Sequence, residues 1–299
     1  MRISTSQLYQ QSVDAMLQKQ RELSETELQV ASGKRILTPS DDPSASVRIL
    51  DLKEAEQRLG QFQRNADAAT SRLAQEEAAI EGIQDLLQRV RELAVQGNSD
   101  TYGTVDRTAI ASEVRALASN FLQLANTRDA NGEYIFAGFK SDQPPFDTVG
   151  GSLNYHGDDG QRRVQIGESR EVAMGDSGRV FTDFSGAAGG VTNVWNVLDS
   201  LADNLEANSG DQNALADIDT AMERLLNVRA NIGARMNAID DQKTANEAFE
   251  LAVADVKSTL EDVDYAEAIS RFNQQLTALQ ASQQAFIRVQ DLSLFNYLR

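Results

Sequence analysis

The sequence predicts a mainly α protein: a long coiled-coil-like helical bundle formed by the N- and C-terminal halves, with a small inserted β-hairpin subdomain. Three observations predict it. Apolar residues recur at alternating spacings of three and four over long stretches of both halves. Aromatic residues make up only 6% of the 299 and there are only 4 prolines, a composition that favours long helices over a strand-rich globule. One stretch, "GFKSDQPPFDTVGGSLNYHGDDGQRRVQI" at 138–166, interrupts this pattern with glycines, turn residues and short apolar runs.

Taken in order, residues 7–31 carry Val13, Met16, Leu23 and Val30 on one seam with Gln20 and Glu27, and Gly33 can end that helix. Asp42 is placed to cap a second helix that has Pro43 at its first position. Its seam runs Leu52, Ala55, Leu59, Phe62, Ala66, Ala69, Leu73, Glu76, Ile80, Ile83, Leu87, Val90, Ala94, Gly97, and only Glu76 and Gly97 break the apolar series. At 1.5 Å per residue, 51–97 would span about 70 Å. Gly97 and Asn98 read as its stop.

A third helix follows, with Ile110, Val114, Leu117, Phe121 and Leu124 on one face. Within the β-like island, "SLNYH" and "QRRVQI" flank "GDDG", and "REVAM" and "RVFTDF" flank "GDSG". Both read as hairpins around four-residue loops, an insertion whose two ends return close together. A short helix carries Val194, Val197, Leu201 and Leu205. The next carries Leu215, Ile218, Met222, Leu225, Ile232, Met236 and Ile239, and continues through Phe249, Val253, Val256, Leu260 and Val263 after a phase slip near Asn246. Asp264 and Glu267 have capping-box-like spacing before a last segment with Ile269, Phe272, Leu276, Leu279, Phe286, Leu292, Leu294, Phe295 and Leu298.

Neither terminal stripe could be buried by its own helix alone in water. Each needs the other, or a neighbouring subunit. The predicted assembly residues are therefore Val13, Met16, Leu23, Val30, Phe272, Leu276, Leu279, Phe286, Leu294, Phe295 and Leu298. The expected division is 1–44 with 266–299 as terminal amphipathic helices, 45–137 with 191–265 as the helical bundle, and 138–190 as a small β-rich outer subdomain.

Charge sharpens this reading. Net charge is −17, which argues against a nucleic-acid partner. Residues 1–35 sum to +1 and 271–299 to +2, so the whole deficit lies between them. An acidic middle keeps monomers apart, while nearly neutral ends can pack on copies of themselves. No stretch approaches the roughly 20 apolar residues of a membrane-spanning helix. The N-terminus lacks the features of a cleaved secretory signal, so the chain is expected in the cytoplasm or exported uncleaved.

The chemistry-bearing residues are few. There is no cysteine, and His156 is the only histidine, so thiolate sites, HExxH zinc sites and facial triads are excluded. Asp158 and Asp159 sit in a hairpin tip and read as turn chemistry, without the EF-hand spacing. Asp41 and Asp42 read as a helix cap rather than a catalytic pair. No G-x-S-x-G occurs, and "GAAGG" is not followed by the Lys-Ser/Thr of a phosphate loop. No catalytic, cofactor or metal residue is assigned. Interaction is the remaining function.

"SGKRILTPSDDPSASVRI" at 32–49, "NADAATSRLAQEEAAIEGIQDLLQRVRELAVQGNSD" at 65–100 and "EDVDYAEAISRFNQQLTALQASQQAFIRVQDLSLFNYLR" at 261–299 resemble the flagellin superfamily. Three details resemble its hook–filament junction branch more than its filament subunits. Asp41-Asp42-Pro43 stands where flagellins usually have Asp-Asp-Ala, "ANTRDANGEYIFAGFKSDQPPF" fills 125–146, and "SLFNYL" closes the chain. The resemblance implies a non-enzymatic, extracellular flagellar protein, exported uncleaved through the type III channel with a chaperone. Its implied partners are the other hook-associated protein of the hook tip, flagellin, and copies of itself in a ring. Flagellin itself is the nearest rival reading, followed by a cytoplasmic coiled-coil scaffold; an enzyme is the most remote.

Overall fold

A computed structural model describes residues 5–291. Six helices, α1 (Thr5–Ser32), α2 (Pro43–Gly97), α3 (Thr104–Ala125), α4 (Val194–Glu206), α5 (Gln212–Glu261) and α6 (Tyr265–Asp291), account for most of it. Their ends follow local chemistry. Gly33 has φ 73°, a left-handed conformation that glycine adopts without strain, and it stops α1. Asp42 Oδ1 accepts the Ala45 N–H at 3.0 Å in front of Pro43, so the start of α2 is capped as predicted. Asp264 Oδ1 accepts the N–H groups of Ala266 at 2.9 Å and Glu267 at 3.2 Å and starts α6. The phase slip at Asn246 leaves α5 unbroken.

The described residues fall into two compact units. One takes the chain up to Arg58 and from Ala248 on; the other is Leu59–Glu247. The boundaries lie inside α2 and α5; the one in α5 falls beside the phase slip at Asn246, and the one in α2 at no break in the seam.

The second unit packs α2 to α5 around one apolar core. Every seam position of α2 from Phe62 to Gly97 is buried, including the two that break the apolar series. Gly97 is there because space demands it. A Cβ built on it would stand 2.3 Å from Leu205 Cδ2 of α4. Facing this seam are Val114 and Phe121 of α3, Leu201 and Leu205 of α4, and Ile218, Leu225, Ile232 and Ile239 of α5, all fully buried.

The island holds six short strands in three antiparallel pairs: β1 (Phe146–Asp147) with β2 (Asn154–Tyr155), β3 (Arg163–Gln165) with β4 (Glu171–Ala173), and β5 (Phe184–Ser185) with β6 (Val191–Thr192). The two hairpins expected around GDDG and GDSG do not form. Three of the four candidate strands pair with other partners, and the first half of the fourth, "RVFTDF", lies in a 3-10 turn over Gly178–Phe181, with only Phe184 in a strand. Asn154-Tyr155 joins the segment before it, and Arg163–Gln165 joins Glu171–Ala173 across residues 166–170. The reason lies in Asp158. Its Oδ1 accepts the N–H of Phe139 at 2.8 Å and of Gly160 at 2.9 Å, so GDDG is tied to the 137–139 backbone instead of closing a turn between its own flanks.

Nor is the island a detachable insertion. Phe181 stacks edge-on against Phe121 of α3 at 5.6 Å, and also against Phe136 at 5.0 Å and Phe146 at 5.9 Å. Asn246 Nδ2 donates to the Ile166 carbonyl at 2.8 Å, which explains a buried asparagine in α5. Island and helices share one core.

In the first unit α1 and α6 lie side by side, with Tyr9 near Phe286 and Gly33 near Val263, hence antiparallel.

Candidate functional site

Chain ends that run together need something to set their register. Here it is a short backbone clamp after α1. Arg35 N–H donates to the Glu261 carbonyl at 2.7 Å and Val263 N–H to the Gly33 carbonyl at 3.0 Å, with Lys34 bridged to Asp262. Side chains reinforce it. Lys34 Nζ sits 2.5 Å from Glu261 Oε1, and Lys53 is 3.8 Å from the same oxygen. The Lys34 ammonium holds the Glu261 carboxyl below the usual range, against the opposing effect of burial. Gln29, itself buried, donates to the Arg35 carbonyl at 2.9 Å. Loop 36–42 is fixed from within: Asp41 Oδ2 accepts the N–H of Leu37 at 2.9 Å and of Thr38 at 2.8 Å. These hydrogen bonds, Thr38 first, lower the Asp41 carboxyl from its ordinary value.

Beyond the clamp, Val13, Met16, Leu23 and Val30 of α1 and Phe272, Leu279 and Phe286 of α6 are half-buried, while Leu276 is exposed. The Tyr9 and Phe286 rings meet at 5.1 Å. Leu294, Phe295 and Leu298 lie outside the described residues. The pairing of α1 with α6 therefore covers the predicted stripe only in part. Other large apolar side chains are also left open in this unit. Leu28 of α1, Val47 and Leu50 of α2, and Phe249, Leu251 and Val256 of α5 are all exposed, Leu251 at 74% and Phe249 at 61%. Val47, Leu50 and Leu251 escaped the seam reading because they lie off it. The available signal was a second set of apolar positions, such as Val47 and Leu50 three apart, on an otherwise polar face.

The island residues with possible chemistry have structural jobs. His156 Nε2 lies 2.7 Å from Asp147 Oδ2 on an exposed face, linking the two strands' ends. Asp159 pairs with Arg179 at 2.6 Å. No group of three or more metal-ligating side chains occurs among the described residues. None of the described helices is long and apolar enough to cross a membrane.

The fold and this clamp define a class: a long-helix structural subunit whose chain ends form one antiparallel pair. Comparison with known proteins narrows it. Residues 3–141 match the bacterial flagellin N-terminal helical region, and 215–298 match the bacterial flagellin C-terminal helical region. Flagellar hook-associated protein 3 of Escherichia coli (strain K12) is 31% identical over 99% of this chain and 99% of its own length. Its counterpart in Salmonella typhimurium is 29% identical over 100% of both chains, whereas flagellin FlaB1 of Treponema pallidum is 27% identical over 74% of each. A putative flagellar hook-associated protein from Vibrio parahaemolyticus shares the fold, with TM-score 0.68 at 24% identity over 74% of this chain and 100% of that one. The flagellar junction protein FlgL from Legionella pneumophila superposes with TM-score 0.61 at 20% identity, over 73% of this chain and 100% of its own. The chain belongs to the flagellin family, in its hook-associated protein 3 branch.

Proposed function

We propose that this protein is a structural subunit of the bacterial flagellum that joins the hook, through the other hook-associated protein, to the flagellin filament, and that it polymerises through its terminal helices. The observation that carries the reading is the end-to-end match with hook-associated protein 3, which flagellins match over a shorter span. The geometry supports it. A soluble subunit gains nothing by leaving Leu28, Leu50, Phe249 and Leu251 in water, whereas a subunit in a ring can bury them against its neighbours.

On this reading the chain has no enzymatic role, works outside the cell, and travels there uncleaved through the flagellar type III apparatus with a chaperone. The lack of cysteine suits export of an unfolded chain, because no disulfide can obstruct threading. The acidic middle opposes premature association. Immunogold electron microscopy of flagella tests the assignment. Label should be confined to the hook–filament boundary; label along the whole filament would replace this reading with that of a filament subunit.

A further inference from the structure

Glu76 is the one acidic residue on the apolar seam of α2, and nothing in the assembly reading uses it. Its side chain is fully buried. Oε1 accepts the backbone N–H of Asp176 at 2.9 Å, while Oε2 has no hydrogen-bond partner. We infer that the loop after β4 is held to the helices by a proton-dependent latch, in which the neutral carboxyl of Glu76 can stay buried under the Asp176 N–H, whereas its ionisation, dry and beside the Asp176 carboxylate, drives residues 175–177 to lift.

The surrounding charges favour this. On α2 itself, the Arg72 guanidinium is taken up by Asp129 at 2.7 Å, Glu133 at 3.4 Å and the Tyr134 carbonyl at 3.4 Å. On α5, Arg235 is paired with the Asp176 side chain and reaches the Ala173 carbonyl at 3.4 Å. Arg162 is committed to Glu133 at 2.7 Å. The loop brings Asp176, a like charge. A carboxylate at Glu76 would thus be buried beside another carboxylate, with the nearby guanidiniums already engaged. Burial first, and the Asp176 carboxylate second, push the Glu76 carboxyl up to about 8, and they outweigh Arg235 and the hydrogen bond from the Asp176 N–H, which both pull the other way.

Relief on ionisation has an obvious route. Met174 N–H is anchored to the Arg162 carbonyl at 2.9 Å and Gly178 N–H to the Phe136 carbonyl at 2.8 Å. The residues between these anchors begin with Gly175. Apart from the bond to Glu76, Asp176 is held through its side chain, by Arg235 and by Gln161 Nε2 at 2.9 Å, contacts that must exchange for water when the loop lifts. The proton leaves to solvent, and Arg235 becomes free to exchange Asp176 for Glu76. The loop also lines the groove between the β3–β4 hairpin and α5, through Asp176, so its release reshapes that surface.

The test is NMR on the full chain with glutamate carboxyl carbons labelled, together with amide exchange at Asp176 corrected for intrinsic rates, from about pH 6 to about pH 9. The Glu76 resonance should titrate near 8. Protection of the Asp176 amide should fall roughly tenfold or more through the same midpoint. In Glu76→Gln, which keeps an acceptor but cannot ionise, protection should be independent of pH. A Glu76 midpoint in the ordinary carboxylate range overturns the proposal, as does pH-indifferent protection of Asp176 in the unaltered chain. Persistence of the full pH dependence in Glu76→Gln overturns it as well. Should that variant fail to fold, the two measurements on the unaltered chain decide alone.

Discussion

Gly97 and Asn246 show at the residue scale how little room the second unit leaves. An alanine methyl at 97 would fall inside the contact radius of Leu205, which is itself wholly buried. Gly97→Ala is therefore expected to cost about 1–3 kcal/mol through overpacking, read as a lower urea midpoint with unchanged slope. Asn246→Ala removes the donor that satisfies the Ile166 carbonyl in a buried place, and an expected loss of about 1–3 kcal/mol follows from that orphaned group. Glu76 makes stability depend on pH. Burial holds its native carboxyl up to about 8, against about 4.5 once the chain unfolds, so between those values the folded chain holds one proton more. This group's penalty is absent below the lower value, grows as pH rises through the window, and is constant above the upper value. Denaturant titrations should show that decline, and Glu76→Gln should flatten this contribution.

At the scale of elements, the long helices were legible because a repeat sustained over many turns leaves few alternatives, and because Gly33, Asp42 and Pro43 mark ends by chemistry that acts locally. Glu76 and Gly97 were visible as interruptions, but not their reasons, since Asp176 and Leu205 come from distant segments. The island was legible as an interruption and misread in its pairing. Turn residues such as GDDG state that the chain can bend there, and Asp158 instead spends its carboxylate on the backbone of Phe139. Two-residue strands carry too little pattern to fix a partner. Nor could the sequence reveal that Phe181 enters the helical core. A prediction about the element follows. Phe181→Ala should cost about 3–5 kcal/mol, because it empties a site walled by Phe121, Phe136 and Phe146. Replacing residues 147–190 with a Gly/Ser linker should lower helical circular dichroism and broaden the melt. An unchanged helical signal after that replacement would mean the helices do not depend on the island.

For the whole molecule, the candidate surface was half legible. Periodicity proposes the seam residues of α1 and α6, most of which the pair leaves half-buried, while the exposure of the set on α2 and α5 is a property of the fold that no spacing states. This distinction yields a test in which stability and assembly separate. Phe249 is 61% exposed and lies on α5 within the first unit. In the isolated chain an aspartate there stays in water, so Phe249→Asp should leave the melting temperature of the purified monomer essentially unchanged. If the same face is covered by a neighbouring subunit in the flagellum, the aspartate becomes a charge without a partner in a packed contact, which typically costs several kcal/mol. Cells carrying only this variant should then export it yet fail to retain it at the hook, with variant and unpolymerised flagellin both appearing in the medium. Electron micrographs should show bare hooks. Full-length filaments on such cells, with an unaltered monomer, would mean that this face of α5 stays in solvent after assembly and that the α1–α6 pair alone makes the contacts.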